Sequence, residues 1–309
     1  MELPFGVPLV IANPSAGVRG SPVLDRLMAA FRERGVEPDV AVGDDAVGTE
    51  ELAARAAVDG RGFVVAVGGD GTVQQIVNGL LDAETAEPRG EAAPVLGVVS
   101  AGSGADLMRT FGLDRPPEVL VDHLVTGDTQ PLDLIRIRAR TRNGGEVTRL
   151  AVNVADVGYA AHVVRLAGCL PRRLGPARYR IAIAAAAASF RRPATTVRFD
   201  AGEVTEALCN VVVANGQFFG GGLHVAPRAL PADGYLDVQA WRARPVDLLT
   251  ASRQLRRGRH LERPDVRAWR STRVEVTAER RLPVEADGDV VGVTPVTFEV
   301  VGAGLRLKV

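Results

Sequence analysis

Apolar runs of strand length alternate with helical stretches in the first part of this chain. Residues 7–12 and 63–67 are nearly continuous apolar runs, a pattern typical of strands buried on both faces of a sheet. Between them, apolar residues recur at helical spacing from Leu24 to Phe31 and stop before Gly35. Strands that alternate with helices in this way predict a parallel sheet covered by helices on both faces.

After residue 130 the pattern changes to the period of two that is typical of half-buried strands. Residues 132–140 (LDLIRIRAR) alternate, the turn residues 143–145 follow, and residues 147–154 are predicted as the return strand of a hairpin. Strand-like runs continue to the end of the chain, the last of them at 296–301 and 305–309, and they are interrupted by helical stretches near 177–190 and 246–257. This second half is therefore predicted to be mostly antiparallel.

A chain of 309 residues exceeds what one hydrophobic core usually holds. We expect residues 1–130 to form an α/β domain with a parallel sheet and residues 131–309 to form a β-rich domain. The last strands are free to return to the first domain. Ligands are expected at the carboxyl ends of the parallel strands, in a cleft between the two domains.

The longest mainly apolar stretch, residues 181–190, is much shorter than the roughly 20 residues that a membrane-spanning helix needs. The beginning of the chain carries no basic segment and no small-residue cleavage site, so no export signal is expected. Cys169 and Cys209 are expected to be reduced thiols. These features predict a cytoplasmic protein.

The net charge of the chain is zero, but the charges are distributed unevenly along the sequence. Residues 1–130 carry 9 Arg and 20 acidic residues, a net charge of −11, whereas the remainder carries 27 Arg, 1 Lys and 17 acidic residues, a net charge of +11. A basic half indicates contact with an anionic partner, either phospholipid or nucleic acid. Alternatively, the two halves neutralise each other.

The scarcity of lysine excludes several classes of enzyme. Lys308 is the only lysine in the sequence. P-loop enzymes and protein kinases need a lysine that contacts phosphate, and Schiff-base enzymes need one as the nucleophile. The position of Lys308 near the end of the chain fits none of these roles. The four histidines are far apart and show no metal-ligand spacing.

Glycine-rich turns follow two of the predicted parallel strands. Residues 68–72 (GGDGT) come directly after a buried strand and open a helix, so their backbone N–H groups are expected to face an anion. Glycine allows a phosphate to touch the backbone there. Residues 102–106 (GSGAD) follow the next strand, but they do not complete a dinucleotide-binding fingerprint because the third glycine position is Leu107.

Taken in order, these turns resemble the diacylglycerol kinase catalytic-domain family, which includes bacterial lipid kinases and the sphingosine and ceramide kinases. NPSAG at 13–17, GGDGT at 68–72 and GSGAD at 102–106 resemble its nucleotide-binding turns. The resemblance continues in the second half with an N-x-x-x-x-G-Y segment from Asn153, an N…GGG…AP…DGxLD run from Asn215 and a late DGD at 287–289. In that family, a lipid enters from the second domain.

The resemblance implies a set of site residues. The residues implied to bind the nucleotide are Asn13, Pro14, Ser15, Gly17, Gly68, Gly69, Gly71, Thr72, Gly102, Ser103 and Asp106. Asp287, together with Asp289, would accept the proton of the attacking hydroxyl, and Asp70 would act on Mg²⁺ or on the transferring group. The resemblance also implies a structural Mg²⁺ held by the Asp233 carboxylate with carbonyl groups near Leu230 and Tyr235.

The implied function is ATP- and Mg²⁺-dependent transfer of the γ-phosphate to a lipid hydroxyl of the diacylglycerol or sphingoid type. The expected partner is a lipid at an anionic membrane surface, with peripheral membrane association and no nucleic acid. Two alternatives stay open. One is a kinase for a soluble hydroxyl substrate such as NAD. The other is a catalytically weakened relative, because Ala105 stands where the family has asparagine and DGD stands where it has DGE.

Overall fold

This computed structural model describes residues 3–13, 22–91, 93–101, 105–175 and 177–309. The chain forms two compact units. The first contains residues 1–134, 231–233 and 301–309, and the second contains residues 135–230 and 234–300. The chain thus returns to the first unit twice, once in a short turn and once at its end.

The first unit alternates strands with helices, as the apolar pattern predicts. Its central strands are short and almost fully buried, as expected where helices cover both faces of a sheet, whereas the strand Asp39–Val42 is mostly exposed. The elements are β1 Leu9–Ala12, α1 Pro22–Glu33, β2 Asp39–Val42, α2 Ala46–Val58, β3 Phe63–Gly68, α3 Asp70–Leu80, β4 Val95–Ser100, α4 Asp106–Thr110 and α5 Pro117–Val125.

The strands of this unit lie in the order β2-β1-β3-β4, and neighbouring strands are parallel. The chain passes from β1 outward to β2 and then crosses back to β3. The strand order therefore reverses between β1 and β3. In open α/β sheets, ligands bind at the carboxyl ends of the strands where this reversal occurs.

The second unit is built mainly from antiparallel strands, with helices packed on them. Its elements, some of which begin or end in the first unit, are β5 Thr129–Arg140, β6 Glu146–Ala151, β7 Val154–Gly158, α6 Tyr159–Gly168, a 3₁₀ turn Arg172–Leu174, α7 Ala177–Ser189, β8 Ala194–Phe199, β9 Gly202–Ala207, β10 Asn210–Ala214, β11 Phe218–Phe219, β12 Leu223–His224, β13 Leu236–Trp241, α8 Pro245–Arg256, a 3₁₀ turn His260–Glu262, β14 Val266–Ser271, β15 Arg273–Ala278, β16 Pro283–Ala286 and β17 Asp289–Lys308.

In this unit the strand order is β14-β13-β10-β7-β16-β17, and each pair in this order is antiparallel. β15 pairs with β17 and with β8. Alternate residues of β7 and β10 belong to different apolar clusters, one containing Ala155 and Val211 and the other containing Val154 and Val212. The predicted fold class, a parallel α/β domain followed by a mostly antiparallel β-rich domain, is confirmed.

Two predictions about strands were wrong. The predicted return strand at 147–154 is two strands, β6 and β7, separated at Val152 and Asn153. The chain bends there because the carboxylate of Asp287, in the turn between β16 and β17, binds the backbone N–H groups at the bend. The predicted strands at 296–301 and 305–309 are one strand, β17, whose last residues pair in parallel with β4.

Lys308 is buried in the first unit. Its ammonium group donates a hydrogen bond to the carbonyl oxygen of Thr126 and lies 5.1 Å from the ring centre of Phe5 and 5.9 Å from that of Phe63. Burial lowers the pKa of Lys308. The only lysine of the chain is therefore held within the first unit by Thr126, Phe5 and Phe63. None of the described helices is both long enough and apolar enough to cross a membrane.

The helix that follows the GGDGT turn, α3, lies unusually close to α2. A methyl group added to Gly79 of α3 would come 2.2 Å from the carbonyl oxygen of Glu50 and 2.6 Å from the Cβ atom of Ala53. These atoms belong to a backbone and to a Cβ, neither of which can rotate away. Glycine at this position therefore sets the distance between α2 and α3.

We expect Gly79→Ala to lower the free energy of unfolding by about 1–3 kcal/mol through overpacking. This loss should exceed the roughly 1 kcal/mol by which alanine is the better helix former. The matched control is Gly48→Ala in α2, where the nearest atom to the new methyl group is Asp45 Oδ1 at 3.6 Å. The control should raise the melting temperature and Gly79→Ala should lower it. Equal melting temperatures in calorimetry would contradict the close packing of the two helices.

Candidate active site

In the first unit, candidate residues lie where β1 and β3 end. These strands are parallel neighbours, with Ala12 paired to Val67, so their carboxyl ends lie side by side. Asn13 follows β1, and Gly68 ends β3. The Asn13 side chain is buried and donates a hydrogen bond to Gln75 Oε1 at 3.0 Å. The turn after β1 and the helix after β3 are therefore joined directly at the reversal of strand order.

Five of the residues implied to bind the nucleotide fall outside the described residues. They are Pro14, Ser15, Gly17, Gly102 and Ser103. The other six lie in the first unit: Asn13, Gly68, Gly69, Gly71, Thr72 and Asp106.

The GGDGT turn leads from the buried end of β3 into the first turn of α3. A Cβ atom at Gly68 would come 2.4 Å from Thr72 Oγ1, so a side chain at this position would collide with the turn itself. Gly69 is the N-cap residue of α3, and its own lack of a side chain leaves the helix end without a side-chain cap. The N-terminus of an α-helix carries a partial positive charge and unpaired N–H groups, which together attract an anion.

Asp70 connects the two glycine-rich turns. Its carboxylate accepts hydrogen bonds from the backbone N–H groups of Asp106 and Leu107, both at 3.2 Å. These groups are the first N–H donors of α4, whose N-cap residue, Ala105, has no side chain able to bind them. Asp70 thus supplies from α3 the cap that Ala105 lacks. This contact holds the start of α4 against the GGDGT turn.

Asp106 is buried at the start of α4. Its Oδ1 accepts a hydrogen bond from Arg109 Nη1 at 2.5 Å, and Arg109 also forms an ion pair with Asp114. The side chain of Asp106 is therefore held within its own helix and the loop that follows. Only its backbone N–H is engaged by Asp70.

In the second unit, a separate candidate group lies in the turn between β16 and β17. Asp287 and Gly288 form a two-residue hairpin loop in which both backbone φ angles are positive, +50° and +95°. This is the geometry of the favoured Asp-Gly hairpin turn. Asp287 and Gly288 therefore form an ordinary hairpin turn. The Asp287 side chain also makes hydrogen bonds outside this turn.

The Asp287 carboxylate accepts three backbone hydrogen bonds from the bend between β6 and β7. Oδ2 accepts from Val152 at 2.7 Å, and Oδ1 accepts from Asn153 and Val154, both at 3.1 Å. Each carboxylate oxygen has two lone pairs, so one lone pair of Oδ2 is left over from these contacts. The carboxylate is fixed in place and keeps one position for accepting a proton.

Burial decides the ionisation of this group. Asp287 is 9% exposed, and burial raises its pKa to about 6, with a smaller contribution in the same direction from Asp289. The three backbone N–H donors act in the opposite direction, because they favour the charged form. Asp289 itself is exposed, at the first residue of β17.

The residues implied to hold Mg²⁺ lie in the turn before β13. Leu230 is 58% exposed and Tyr235 is 44% exposed, whereas Asp233 is half-buried. Gly234, next to Asp233, has a φ angle of +74°. One carboxylate and backbone carbonyl groups form a hard-oxygen donor set that suits Mg²⁺, since this ion takes its other ligands from water. Within the described ranges, no group of three or more His, Cys, Asp or Glu side chains is arranged to hold a metal.

Sequence reasoning missed three buried polar side chains behind the Asp287 turn. They are Asp156, Asn210 and Glu285, which lie on β7, β10 and β16. A charged residue inside an apolar strand pattern is the signal that could have identified the two acids, because acids are rarely buried without a partner. Asn210 carries no such signal.

The sequence is similar to two family models that together match nearly all of it. The diacylglycerol kinase catalytic domain matches residues 8–137, and the YegS C-terminal NAD kinase beta sandwich-like domain matches residues 153–309. The second match alone covers more than half of the chain.

Relatives and solved structures agree with this assignment. A diacylglycerol kinase from Mycobacterium tuberculosis is 31% identical over 308 residues, which cover 98% of this chain and 95% of the relative. A diacylglycerol kinase from Bacillus subtilis is 23% identical, covering 94% of this chain and 91% of the relative.

Among solved structures, a diacylglycerol kinase from Bacillus anthracis str. Sterne matches with a TM-score of 0.68 and 18% identity, covering 99% of this chain and 98% of that one. Yeast NADH kinase complexed with NADH matches with a TM-score of 0.52 and 9% identity, covering 97% and 78%. At these identities the two structures report on the fold alone. The family matches and the relative at 31% identity show that the chain belongs to the diacylglycerol kinase family.

Proposed function

We propose that this protein transfers the γ-phosphate of ATP to the hydroxyl group of a membrane lipid of the diacylglycerol or sphingoid type. The observation that carries this proposal is the GGDGT turn at the reversal of strand order, in a chain of the diacylglycerol kinase family. Gly68 admits no side chain, and α3 begins directly after the end of β3, so the positive end of its dipole lies at this turn.

In this proposal the nucleotide phosphates bind at the start of α3, next to Asn13. No lysine takes part, so backbone N–H groups and the helix dipole attract the phosphates. Asp70 holds the second glycine-rich turn in place through the N–H groups of Asp106 and Leu107. We assign to it, in addition, the role of acting on Mg²⁺ or on the transferring group.

Asp287 is proposed as the general base, with Asp289 beside it. As the acceptor oxygen attacks the γ-phosphorus, the bond from that phosphorus to the β–γ bridging oxygen breaks, and ADP leaves with the bridging oxygen. The proton of the hydroxyl group passes to the free lone pair of Asp287 Oδ2. A pKa of about 6 leaves this carboxylate mostly ionised at neutral pH, while it remains basic enough to accept a proton.

We assign Mg²⁺ to the turn that contains Asp233. The carboxylate of Asp233 with carbonyl oxygens near Leu230 and Tyr235 would hold it, and bound Mg²⁺ would stabilise this turn by linking its oxygen atoms. Both ATP as the phosphate donor and this bound Mg²⁺ are parts of the proposed function.

A basic and apolar surface on the second unit supports a lipid acceptor. Between Asp156 and Asp200 the sequence contains eight arginines and no acidic residue. Leu174, Tyr179 and Ile181 are exposed there, and the Arg178 guanidinium lies 5.0 Å from the ring centre of Tyr179. Exposed apolar side chains among arginines match an anionic lipid surface, which offers both headgroup charge and acyl chains.

Radiolabel transfer tests the reaction. Purified protein, γ-labelled ATP and Mg²⁺ would be incubated with mixed micelles of diacylglycerol, monoacylglycerol, sphingosine or ceramide, with NAD in a parallel reaction. We expect label on one of the lipids and none on NAD. Label on NAD alone would support the soluble-substrate alternative. Bound ATP with no labelled product would support a weakened relative.

The general base is tested by Asp287→Asn. We expect kcat to fall by about 100- to 10,000-fold, the usual contribution of a general base. Nucleotide affinity measured by titration calorimetry should stay unchanged. In the wild-type protein kcat should rise with pH through about 6, because only the ionised Asp287 carboxylate accepts the proton.

Asp200→Asn is the matched control, because the Asp200 carboxylate also accepts a backbone hydrogen bond, from Thr272 at 2.6 Å. This variant should lose stability but keep its kcat. Full turnover by Asp287→Asn would reassign the base, and the same assay on Asp289→Asn would then test the second carboxylate of the DGD turn.

Membrane association is tested by flotation with liposomes that contain anionic phospholipid. Replacing Arg173, Arg178 and Arg180 by glutamine should weaken binding by about 3 kcal/mol, at about 1 kcal/mol for each arginine near the surface. Added salt should weaken wild-type binding in the same way.

The charge-matched control replaces three arginines of the first unit, Arg32, Arg55 and Arg115, and should bind like the wild type. Binding that is insensitive to salt, or equal losses in both triple variants, would contradict the assigned surface.

A further inference from the structure

Two carboxyl groups face each other in the interior of the second unit. Asp156 on β7 and Glu285 on β16 are directly opposite in the antiparallel pair, and they are 0% and 4% exposed. Side chains at such positions point to the same face of the sheet, with Cβ atoms about 4.5–5.5 Å apart. Neither group has been given a role in the reaction proposed above.

The hydrogen bonds around the pair come from neutral groups. Asn210 donates its side-chain amide to Asp156 Oδ1, and Asn210 is itself oriented by the N–H of Ala160 at 3.0 Å. Glu285 Oε2 accepts the backbone N–H of Gly288 at 3.0 Å. Asp156 Oδ2 receives no N–H or O–H from any other described residue, and the group that it meets is the Glu285 carboxyl.

No cationic side chain among the described residues compensates this pair. Within the described part of the chain, neither carboxyl forms an ion pair with an arginine, lysine or histidine. The charged groups whose field reaches Glu285 are all acidic: Asp156, Asp287 and Asp289. On α6, which packs against both strands, His162 and Arg165 are hydrogen-bonded to each other.

Two buried carboxylates this close cannot both be ionised without a cation. Burial raises the pKa of Asp156 to about 7, and burial together with the negative charge of Asp156 raises the pKa of Glu285 well above its ordinary value. A proton on Glu285 then completes the set of contacts. It forms a hydrogen bond to Asp156 Oδ2, while Oε2 remains available for Gly288.

We propose that Asp156 and Glu285 share one proton, and that the protonated pair positions Asp287 by holding the Gly288 N–H and thus the turn that carries the base. The chain of contacts runs from Asn210 to Asp156, to Glu285, and to Gly288. Its consequence for catalysis rests on the proposed function, in which Asp287 accepts the hydroxyl proton. Glu285 and Asp156 are positioning residues, since they act through Asp287.

Glu285→Gln removes the ionisable proton but keeps the hydrogen bonds of the side chain. Glutamine donates through Nε2 to Asp156 and accepts from Gly288 through Oε1, so both contacts are kept, but it has no proton to lose. A carboxyl whose pKa is higher in the folded than in the unfolded state destabilises the fold as pH rises between the two values. We therefore expect the wild-type melting temperature to fall between about pH 5 and about pH 8, and to fall less in Glu285→Gln.

The exposed Glu37→Gln is the control and should follow the wild-type curve. If the melting temperatures of Glu285→Gln and of the wild type fall equally as pH rises, the shared proton is ruled out.

Infrared spectroscopy tests the shared proton without any variant. The wild-type protein should show the absorption of a protonated buried carboxyl group at about pH 7. Absence of that absorption would also overturn the proposal.

The positioning role is tested by the phosphoryl-transfer assay. Glu285→Ala removes the acceptor for Gly288 and should lower kcat by about 100-fold, the loss expected from a misplaced catalytic group. The KM for ATP should stay unchanged, and Glu285→Gln should restore kcat. If Glu285→Ala keeps the wild-type kcat, or if Glu285→Gln does not restore it, Glu285 does not position Asp287. If the wild-type protein transfers phosphate to no acceptor, the proposed function fails, whereas the melting and infrared results still decide the shared proton.

Discussion

Three backbone N–H groups at Val152, Asn153 and Val154 converge on the carboxylate of Asp287. They lie at the bend between β6 and the first residue of β7, and a buried N–H without an acceptor is costly. The contact separates β6 from β7 and ties the β16–β17 turn to the start of β7. The register of β7 and β16 follows from it and places Asp156 opposite Glu285. The residue proposed as the base is therefore also a structural anchor, which keeps it in one orientation.

In the first unit, the carboxylate of Asp70 likewise binds backbone N–H groups of a segment distant in sequence. The short helix α4 begins at Ala105, which has no cap of its own, and the Asp70 carboxylate binds its first N–H groups from α3. In both units, then, a carboxylate that follows a strand is held by backbone N–H groups of a distant segment. Phosphate chemistry in this chain also has to work without lysine, since Lys308 is buried against Phe5 and Phe63. Backbone N–H groups and the dipole of α3 suit that requirement.

Much of the fold could be predicted because local patterns and tertiary packing agree. The helix at Ala177–Ser189 and the strand at Phe63–Gly68 lie where the apolar pattern puts them. The resemblance to the diacylglycerol kinase family, based on ordered motifs, was confirmed. The split of 147–154 could not be predicted, because the carboxylate that causes it lies more than 130 residues away in sequence. The buried pair was missed because Asp156 and Glu285 each stand alone in sequence and meet only through strand pairing.

The sequence by itself determined the alternation of strands and helices, the change to antiparallel strands after residue 130, the glycine turns and the exclusion of lysine chemistry. These properties depend on residues that are close along the chain, where periodicity and turn preference act. The tertiary structure alone decided that Asp70 caps α4, that Asp287 binds the bend before β7, and that two acids are buried together. Each of these contacts joins segments distant in sequence, and their energies come from burial and from N–H groups left unpaired locally.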